Sequence, residues 1–176
     1  MEKFLIIAAA MHILITGGTG FIGSALVPEF LKRGFSVTVL SRYEQPVRAG
    51  VSFVQSLDAV QSPVDVVINL AGASLAAQRW TDDYKAEMVA SRAGFTEQLV
   101  QWMRAQAIPP GLLISGSAVG FYGCSRDQFF DEASPAGRGF SAELCQAWES
   151  AASVLEGTDS RVVSLRLGVV FDRNGG

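Results

Sequence analysis

Three glycines in one short stretch are the first residues of this sequence whose spacing could serve chemistry. Gly17, Gly20 and Gly23 form a G-x-x-G-x-x-G pattern within HILITGGTGFIGSAL, between two apolar runs of different periodicity. The first glycine permits a tight turn, the second lets backbone N–H groups approach a pyrophosphate, and the third lets a helix pack closely. The start of that helix would face the phosphates with its positive dipole end. The pattern predicts a dinucleotide site; a structural turn that needs positive φ is the alternative.

The residues after the second predicted strand should select the dinucleotide. A ribose-binding Asp or Glu is expected about 20 residues beyond the glycines, but Ser41 and Arg42 occupy that place. A guanidinium there could bind a 2′-phosphate, so we expect NADP, with NAD as the alternative because Glu44 is near. The predicted cofactor-binding residues, at the glycine turn and at the ends of the second and fourth strands, are Gly17, Thr19, Gly20, Phe21, Ile22, Gly23, Ser41, Arg42, Leu70, Ala71 and Gly72.

Strands and helices must alternate to bring these residues together. Helical patterns follow the glycine turn and extend over residues 81–106 and 140–156. Pro28 lies inside the helix after the glycine turn and should kink it or cost about 3 kcal/mol. Alternation with short connections predicts an α/β doubly wound parallel sheet, a Rossmann fold, in strand order 3-2-1-4-5-6. The strand-length apolar runs are residues 11–16, 35–40, 51–55, 64–72, 111–117 and 161–171.

Composition excludes several classes of function. The chain has 176 residues, 49% of them hydrophobic, which suits one domain over residues 11–176, preceded by a short extension over residues 1–10. A net charge of −3 without a Lys/Arg cluster argues against a nucleic-acid partner. No apolar run reaches the roughly 18 residues of a membrane span. Two distant cysteines and one histidine predict a cytoplasmic protein without a metal site.

Several motifs together resemble a known family. ITGGTGFIG, VLSR, INLAG, SGSAVGFYG and LRLGVVF occur in the order and spacing of extended short-chain dehydrogenase/reductases. INLAGASLAAQRW, SRAGFTEQLV and CQAWES are similar to its atypical NAD(P)-dependent epimerase/dehydratase branch, sometimes labelled cell-division-inhibitor-like. The resemblance implies an oxidoreductase or epimerase acting on a hydroxyl-bearing small molecule, with a nucleotide sugar as one candidate. Members usually continue into a small substrate-binding region, which we expect this chain to lack; the oligomeric state is left open.

The same resemblance implies the catalytic residues. Family chemistry rests on a Ser, a Tyr and a Lys four residues after the Tyr, which together move a proton while nicotinamide carries hydride. Ser117 matches the family serine and Tyr122 matches the tyrosine of a Tyr-Gly pair, so these two are the predicted catalytic residues. Aligning Glu149 with the family glutamate puts Ser141 at the tyrosine position and Cys145 at the lysine position. No tyrosine in this chain has lysine four residues later.

This departure leaves two functions open. In the first, an enzyme oxidises, reduces or epimerises a small molecule, with Ser117 polarising the carbonyl and Tyr122 relaying the proton. In the second, a protein that has lost proton transfer binds the cofactor or senses it. Fold alone does not choose between them.

Other side chains able to do chemistry are predicted to be structural. Trp80, Trp102 and Trp148 are expected to pack in the core or between helices. Cys145 is expected to be a small, semi-buried helix residue. Arg166 resembles a family strand arginine, but sequence alone assigns it no role.

Overall fold

A computed structural model describes residues 10–173 and shows one six-stranded sheet. All neighbouring strands are parallel, in the order β3-β2-β1-β4-β5-β6, which confirms the predicted Rossmann topology. Apart from Ala10, the predicted extension lies outside the described residues. The strands are β1 His12–Thr16, β2 Ser36–Leu40, β3 Val51–Val54, β4 Val66–Asn69, β5 Leu112–Ala118 and β6 Arg161–Leu167.

Residues 10–173 contain four α-helices, two of which replace the single long helix predicted over residues 81–106. The helix expected over residues 81–106 is interrupted by a π-helical turn at Ala90–Gly94, which buries Arg92. A π turn inserts an extra residue into the helix, and such turns are frequent at functional sites. The helices are α1 Phe21–Lys32, α2 Asp82–Val89, α3 Phe95–Ala105 and α4 Phe140–Ser153, with short 3₁₀ turns at Leu57–Ala59 and Val119–Tyr122.

Pro28 does not end helix α1, which continues to Lys32. A proline in a helix interior cannot donate to the carbonyl four residues earlier, here that of Ser24. Both Ser24 and Pro28 are exposed, so water can satisfy that carbonyl.

The sheet is covered on both faces. Ile13 and Ile15 of β1 pack in one cluster with Val27 of α1, whereas Leu14 packs on the opposite face with Leu99 of α3. Burial on both faces explains why β1 is almost continuously apolar. It also fixes the strand register, so that the carboxyl ends of β1, β4 and β5 lie side by side.

A buried asparagine ties the carboxyl ends of these strands to helix α3. The Thr16 hydroxyl donates to Asn69 Oδ1 at 2.7 Å, and Asn69 Nδ2 donates to Thr96 Oγ1 at 2.8 Å. All three side chains are buried, so each hydrogen bond compensates for the loss of hydration. This network positions the main chain of Leu70, which follows β4 directly.

Residues 10–173 contain neither a membrane-spanning helix nor a cluster of metal ligands. None of the helices there combines the length and apolar character that crossing a bilayer requires. The same residues contain no cluster of three or more His, Cys, Asp or Glu side chains placed to hold a metal ion.

Candidate functional site

Two clefts meet above the carboxyl ends of the central strands. The first has a volume of about 570 Å³ and lies between the ends of β1, β2 and β4. The second, of about 700 Å³, extends over β5 to helix α4. All eleven predicted cofactor-binding residues line one or both clefts. The residues shared by the two clefts are Gly17, Gly20, Leu70, Gly72 and Ala73.

The glycine turn is built of main chain in close contact. Gly17 has φ of +69°, and a Cβ atom there would lie 2.5 Å from the Leu70 carbonyl oxygen. A Cβ on Gly23 would lie 2.5 Å from the Cα of Gly18, so this glycine lets α1 approach the turn. Gly20 precedes α1, whose first turn receives no side-chain capping bond. Because no side chain caps them, the N–H groups in the first turn of α1 are available to an anionic ligand.

Sequence reasoning assigned no role to Gly18, which the structure explains by packing. A Cβ atom on Gly18 would lie 2.8 Å from Cγ1 of Val39 in β2. Gly18 therefore faces the core, whereas the preceding residue, Gly17, lines both clefts. The adjacent glycines Gly17 and Gly18 thus serve different contacts.

The first cleft carries a cation at the end of β2. Arg42 is exposed, lines the cleft and lies 5.7 Å from the centre of the Tyr43 ring. Buried Ser41 donates its hydroxyl to the Tyr43 carbonyl at 2.8 Å, which shapes the turn that presents Arg42. Among the described residues Arg42 forms no ion pair, with Glu44 or with any other carboxylate. Its guanidinium is therefore available to a ligand.

The second cleft contains Ser117 at the end of β5, held by a charged pair. Ser117 is 3% exposed and donates its hydroxyl to Glu149 Oε1 at 2.5 Å. Arg166 of β6 donates to the same carboxylate from Nε at 2.9 Å and from Nη2 at 2.8 Å. Burial alone would raise the pKa of Glu149, but the hydrogen bonds from Arg166 and Ser117 hold it below its ordinary value. Glu149 is therefore an ionised acceptor that orients the Ser117 hydroxyl.

Tyr122 lies in a groove beside the second cleft. Its hydroxyl oxygen accepts a hydrogen bond from Arg166 Nη1 at 2.9 Å, and its ring stacks on Phe130 at 5.2 Å. The groove shares Trp80, Gly120 and Ser141 with the cleft. The structure thus brings Ser117 and Tyr122 together through Glu149 and Arg166 rather than by direct contact.

The two positions that depart from the family pattern do face the second cleft. Ser141 and Cys145 of helix α4 both line it. The Cys145 thiol is buried and donates to the Ala118 carbonyl at 3.7 Å, and burial raises its pKa. A thiol in this state does not replace an ammonium group, because it is neutral at pH 7.

The predicted structural role of the tryptophans requires one correction. Trp148 is buried and Trp102 packs against the core as expected. Trp80 is 42% exposed and lines the second cleft, with its indole Nε1 donating to the Leu75 carbonyl at 2.8 Å. Its position in the loop before α2 places it at the entrance of the site instead of in the core.

Sequence reasoning missed the arginine that lies in the second cleft. Arg92 occupies the π turn and is 8% exposed. In sequence it falls on the stripe of residues spaced three or four apart that contains Met88, Thr96 and Leu99, all of which are buried. An arginine on the apolar stripe of a predicted helix is a signal that could have revealed it, because unpaired arginine is seldom buried.

Comparisons with known proteins agree with this geometry. A model of the NAD dependent epimerase/dehydratase family matches residues 13–174. Epimerase family protein SDR39U1 from Mus musculus is 36% identical over 169 residues, covering 94% of this chain and 57% of that protein. The crystal structure of human SDR39U1 isoform 2 with NADPH superposes with a TM-score of 0.84 at 35% identity, covering 94% of this chain and 56% of that one. A nucleoside-diphosphate sugar epimerase from Corynebacterium glutamicum gives a TM-score of 0.78 at 31% identity, covering 96% and 36%.

Proposed function

Because the chain belongs to the NAD dependent epimerase/dehydratase family, we propose that it binds NADP across the two clefts and acts as an epimerase/dehydratase-like oxidoreductase. The observation that carries the proposal is the glycine turn at which the clefts meet. The chain spans a little over half the length of the curated relatives that it matches, 57% in the mouse protein. We propose a hydroxyl-bearing small molecule as substrate, with a nucleotide sugar as the leading candidate.

The residues present fit a dinucleotide. Side chains at Gly17 and Gly23 would fill the space in which backbone lies against backbone, and the uncapped first turn of α1 offers N–H donors for a diphosphate. Human SDR39U1, 35% identical to this chain, was crystallised with NADPH. We propose that the first cleft holds the adenosine half and the second cleft holds the nicotinamide half.

Arg42 supports the choice of NADP over NAD. Its guanidinium faces the first cleft and is free of carboxylate partners among the described residues. A guanidinium binds phosphate oxygens through paired hydrogen bonds, and only NADP carries a 2′-phosphate.

Arg42→Asp is expected to weaken NADPH binding by about 10- to 100-fold, because a charge-assisted hydrogen bond is lost and a repulsive carboxylate is added. NADH binding should change little. Fluorescence titration of both dinucleotides measures the two affinities, and Arg48→Asp, outside the clefts, controls for the change in net charge. Equal losses for NADPH and NADH would show that Arg42 does not read the 2′-phosphate.

Chemistry in the second cleft would use two hydroxyl groups. When bound, the nicotinamide accepts or supplies a hydride. The Ser117 proton is directed to Glu149, so the Ser117 oxygen presents lone pairs to the hydroxyl of a substrate. Tyr122 accepts a hydrogen bond from Arg166, which leaves its own proton to donate to a substrate that reaches the groove. We propose that Ser117 orients the reacting oxygen and that Tyr122 exchanges the proton.

Incubation of the protein with NADPH and a panel of sugar nucleotides and their keto forms tests this function. Turnover should appear as loss of NADPH absorbance or as interconversion of epimers. Ser117→Ala and Tyr122→Phe are each expected to lower kcat by about 10²- to 10⁴-fold, with little change in NADPH affinity. Tyr43→Phe removes a hydroxyl outside both clefts and should leave kcat unchanged. Full activity in Tyr122→Phe would remove Tyr122 from the mechanism.

A second function is favoured by the two helix positions at which this sequence departs from the family pattern. Ser141 and Cys145 line the second cleft where the family pattern has tyrosine and lysine, so the usual general acid and its cation are absent from α4. A protein that binds NADPH and senses it would need neither. Tight NADPH binding without turnover on the same panel, in this chain and in a chain extended to the length of its relatives, would favour this function.

A further inference from the structure

Arg92 is a cation in the second cleft without a carboxylate partner. Its side chain is 8% exposed and lines the cleft. Nη2 donates to the Ala73 carbonyl at 2.9 Å and Nη1 to the Met88 carbonyl at 3.5 Å. Among the described residues no aspartate or glutamate forms an ion pair with it. A guanidinium has five N–H donors, so two backbone carbonyls leave most of its hydrogen-bonding capacity unused.

The surroundings of Arg92 are shaped to hold it. Its Cζ lies 5.3 Å from the centre of the Trp148 ring, in a cation–π arrangement. A Cβ atom on Gly72 would lie 2.9 Å from the same Cζ, so the glycine that ends INLAG makes room for the guanidinium. Burial lowers the pKa of Arg92, but an arginine in a protein keeps its charge. The fold therefore maintains a desolvated positive charge beside the cleft.

An independent observation at the same place points to a missing hydrogen-bond acceptor. The indole Nε1 of Trp148 is buried and has no hydrogen-bond partner among the described residues. Trp148 lines the second cleft together with Arg92 and Ser117. The indole N–H and the guanidinium are both donors without acceptor capacity, so this part of the fold is short of acceptors. The group that would complement the unpaired Arg92 charge from the cleft is an anion with oxygen acceptors.

We propose that Arg92, with Trp148 stacked on it, forms an anion-binding subsite that recognises a carboxylate or phosphate group of the substrate. The inference rests on the proposed function in assigning the anion to the substrate. The cofactor could also supply such oxygens through its diphosphate, and the experiment separates these two sources. Arg92 would select substrates that carry an anionic group and would position them. Its guanidinium would bind the anionic group while Ser117 receives the reacting hydroxyl.

Calorimetric titration with oxalate and with inorganic phosphate tests the subsite, and oxamide serves as a neutral analogue of oxalate. We expect either anion, but not oxamide, to bind the protein saturated with NADPH. Arg92→Met should weaken anion binding by about 10- to 100-fold, since hydrogen bonds to a charged group are lost. Arg104→Met, which removes an exposed arginine from α3, should bind anions as the unaltered protein does.

The possible outcomes decide the assignment. Anion binding that disappears once NADPH is bound would assign Arg92 to the cofactor's phosphates and overturn the substrate assignment. Absence of anion binding, or equal binding in Arg92→Met and Arg104→Met, would overturn the subsite. If Arg92→Met does not fold, Arg92→Lys keeps the charge without the planar fork, and its anion affinity should fall several-fold. Failure of the proposed function would show separately, as no NADPH binding in the first titration.

Discussion

Gly17→Ala is expected to abolish dinucleotide binding and to lower the free energy of unfolding by about 3–5 kcal/mol. Alanine at φ of +69° costs about 1–2 kcal/mol. Its Cβ would also lie 2.5 Å from the Leu70 carbonyl oxygen, so the turn and the end of β4 must separate. Because the two clefts meet at these residues, the same movement would displace the turn that we propose as the diphosphate site. Urea unfolding and NADPH titration measure the two effects.

Gly34→Ala provides a matched control. Gly34 has φ of +81°, yet a Cβ atom there would meet nothing within 4 Å. This variant carries the backbone penalty without the steric clash, and it lies after α1, away from the clefts. We expect a loss of about 1 kcal/mol and unchanged NADPH affinity. If both variants lost the same stability and both bound NADPH, the contact between Gly17 and Leu70 would not be what limits the turn.

Arg166→Met is expected to lower the free energy of unfolding at pH 7 by about 2–3 kcal/mol, because it leaves the Glu149 carboxylate without its partner in a partly buried place. The paired side chains are only 20% and 16% exposed. In the unaltered protein the pKa of Glu149 lies below its ordinary value. Its contribution to stability is therefore present above about pH 4.3, the unfolded value, and is lost as the pH falls through the folded-state pKa.

The variant should show the opposite pH dependence. Without Arg166, burial raises the pKa of Glu149. The free energy of unfolding of the Arg166→Met variant should therefore fall as the pH rises through that higher pKa. Urea midpoints at several values between pH 4 and pH 7 would show the difference from the unaltered protein growing with pH. A constant difference would instead assign the loss to the packing of Arg166 on Phe121. The centre of the Phe121 ring lies 3.5 Å from Arg166 Cζ.

Two further variants isolate the charge pair. Glu149→Gln combined with Arg166→Met removes the unpaired charge and should recover much of the stability that Arg166→Met loses. Lys85→Met breaks an exposed ion pair in which Lys85 Nζ lies 3.5 Å from Asp82 Oδ1, and it should change the free energy of unfolding by about 0.5 kcal/mol or less. This contrast separates the network below Ser117 from surface charges.

The strand order and the glycine turn were predictable because their signals are local. Apolar runs of strand length and their alternation with helices restrict a parallel sheet to few topologies, and the observed order is among them. The glycine spacing likewise reports close main-chain contacts, because a Cβ atom at Gly17 or Gly23 would clash with neighbouring backbone. Hence all the predicted cofactor-binding residues lie along the two clefts.

The hydrogen-bond network beside the second cleft joins residues that are distant in sequence. Ser117, Glu149 and Arg166 come from β5, α4 and β6, and their hydrogen bonds exist only because the sheet register places β6 beside β5. The place of Arg92 on the apolar stripe of the predicted helix signals its burial, but nothing in the sequence indicated the π turn that brings it to the cleft.

The sequence by itself therefore determined the layer architecture and the main-chain turn at which we propose a diphosphate binds, because short-range sterics and periodicity specify both. Only the tertiary structure decided that Arg166 and Ser117 donate hydrogen bonds to the same carboxylate, that of Glu149. It also decided which arginine lines the second cleft, namely Arg92. The physical reason is that electrostatic and hydrogen-bond energies depend on distances between atoms, and those distances are set by packing across the fold and not by separation along the chain.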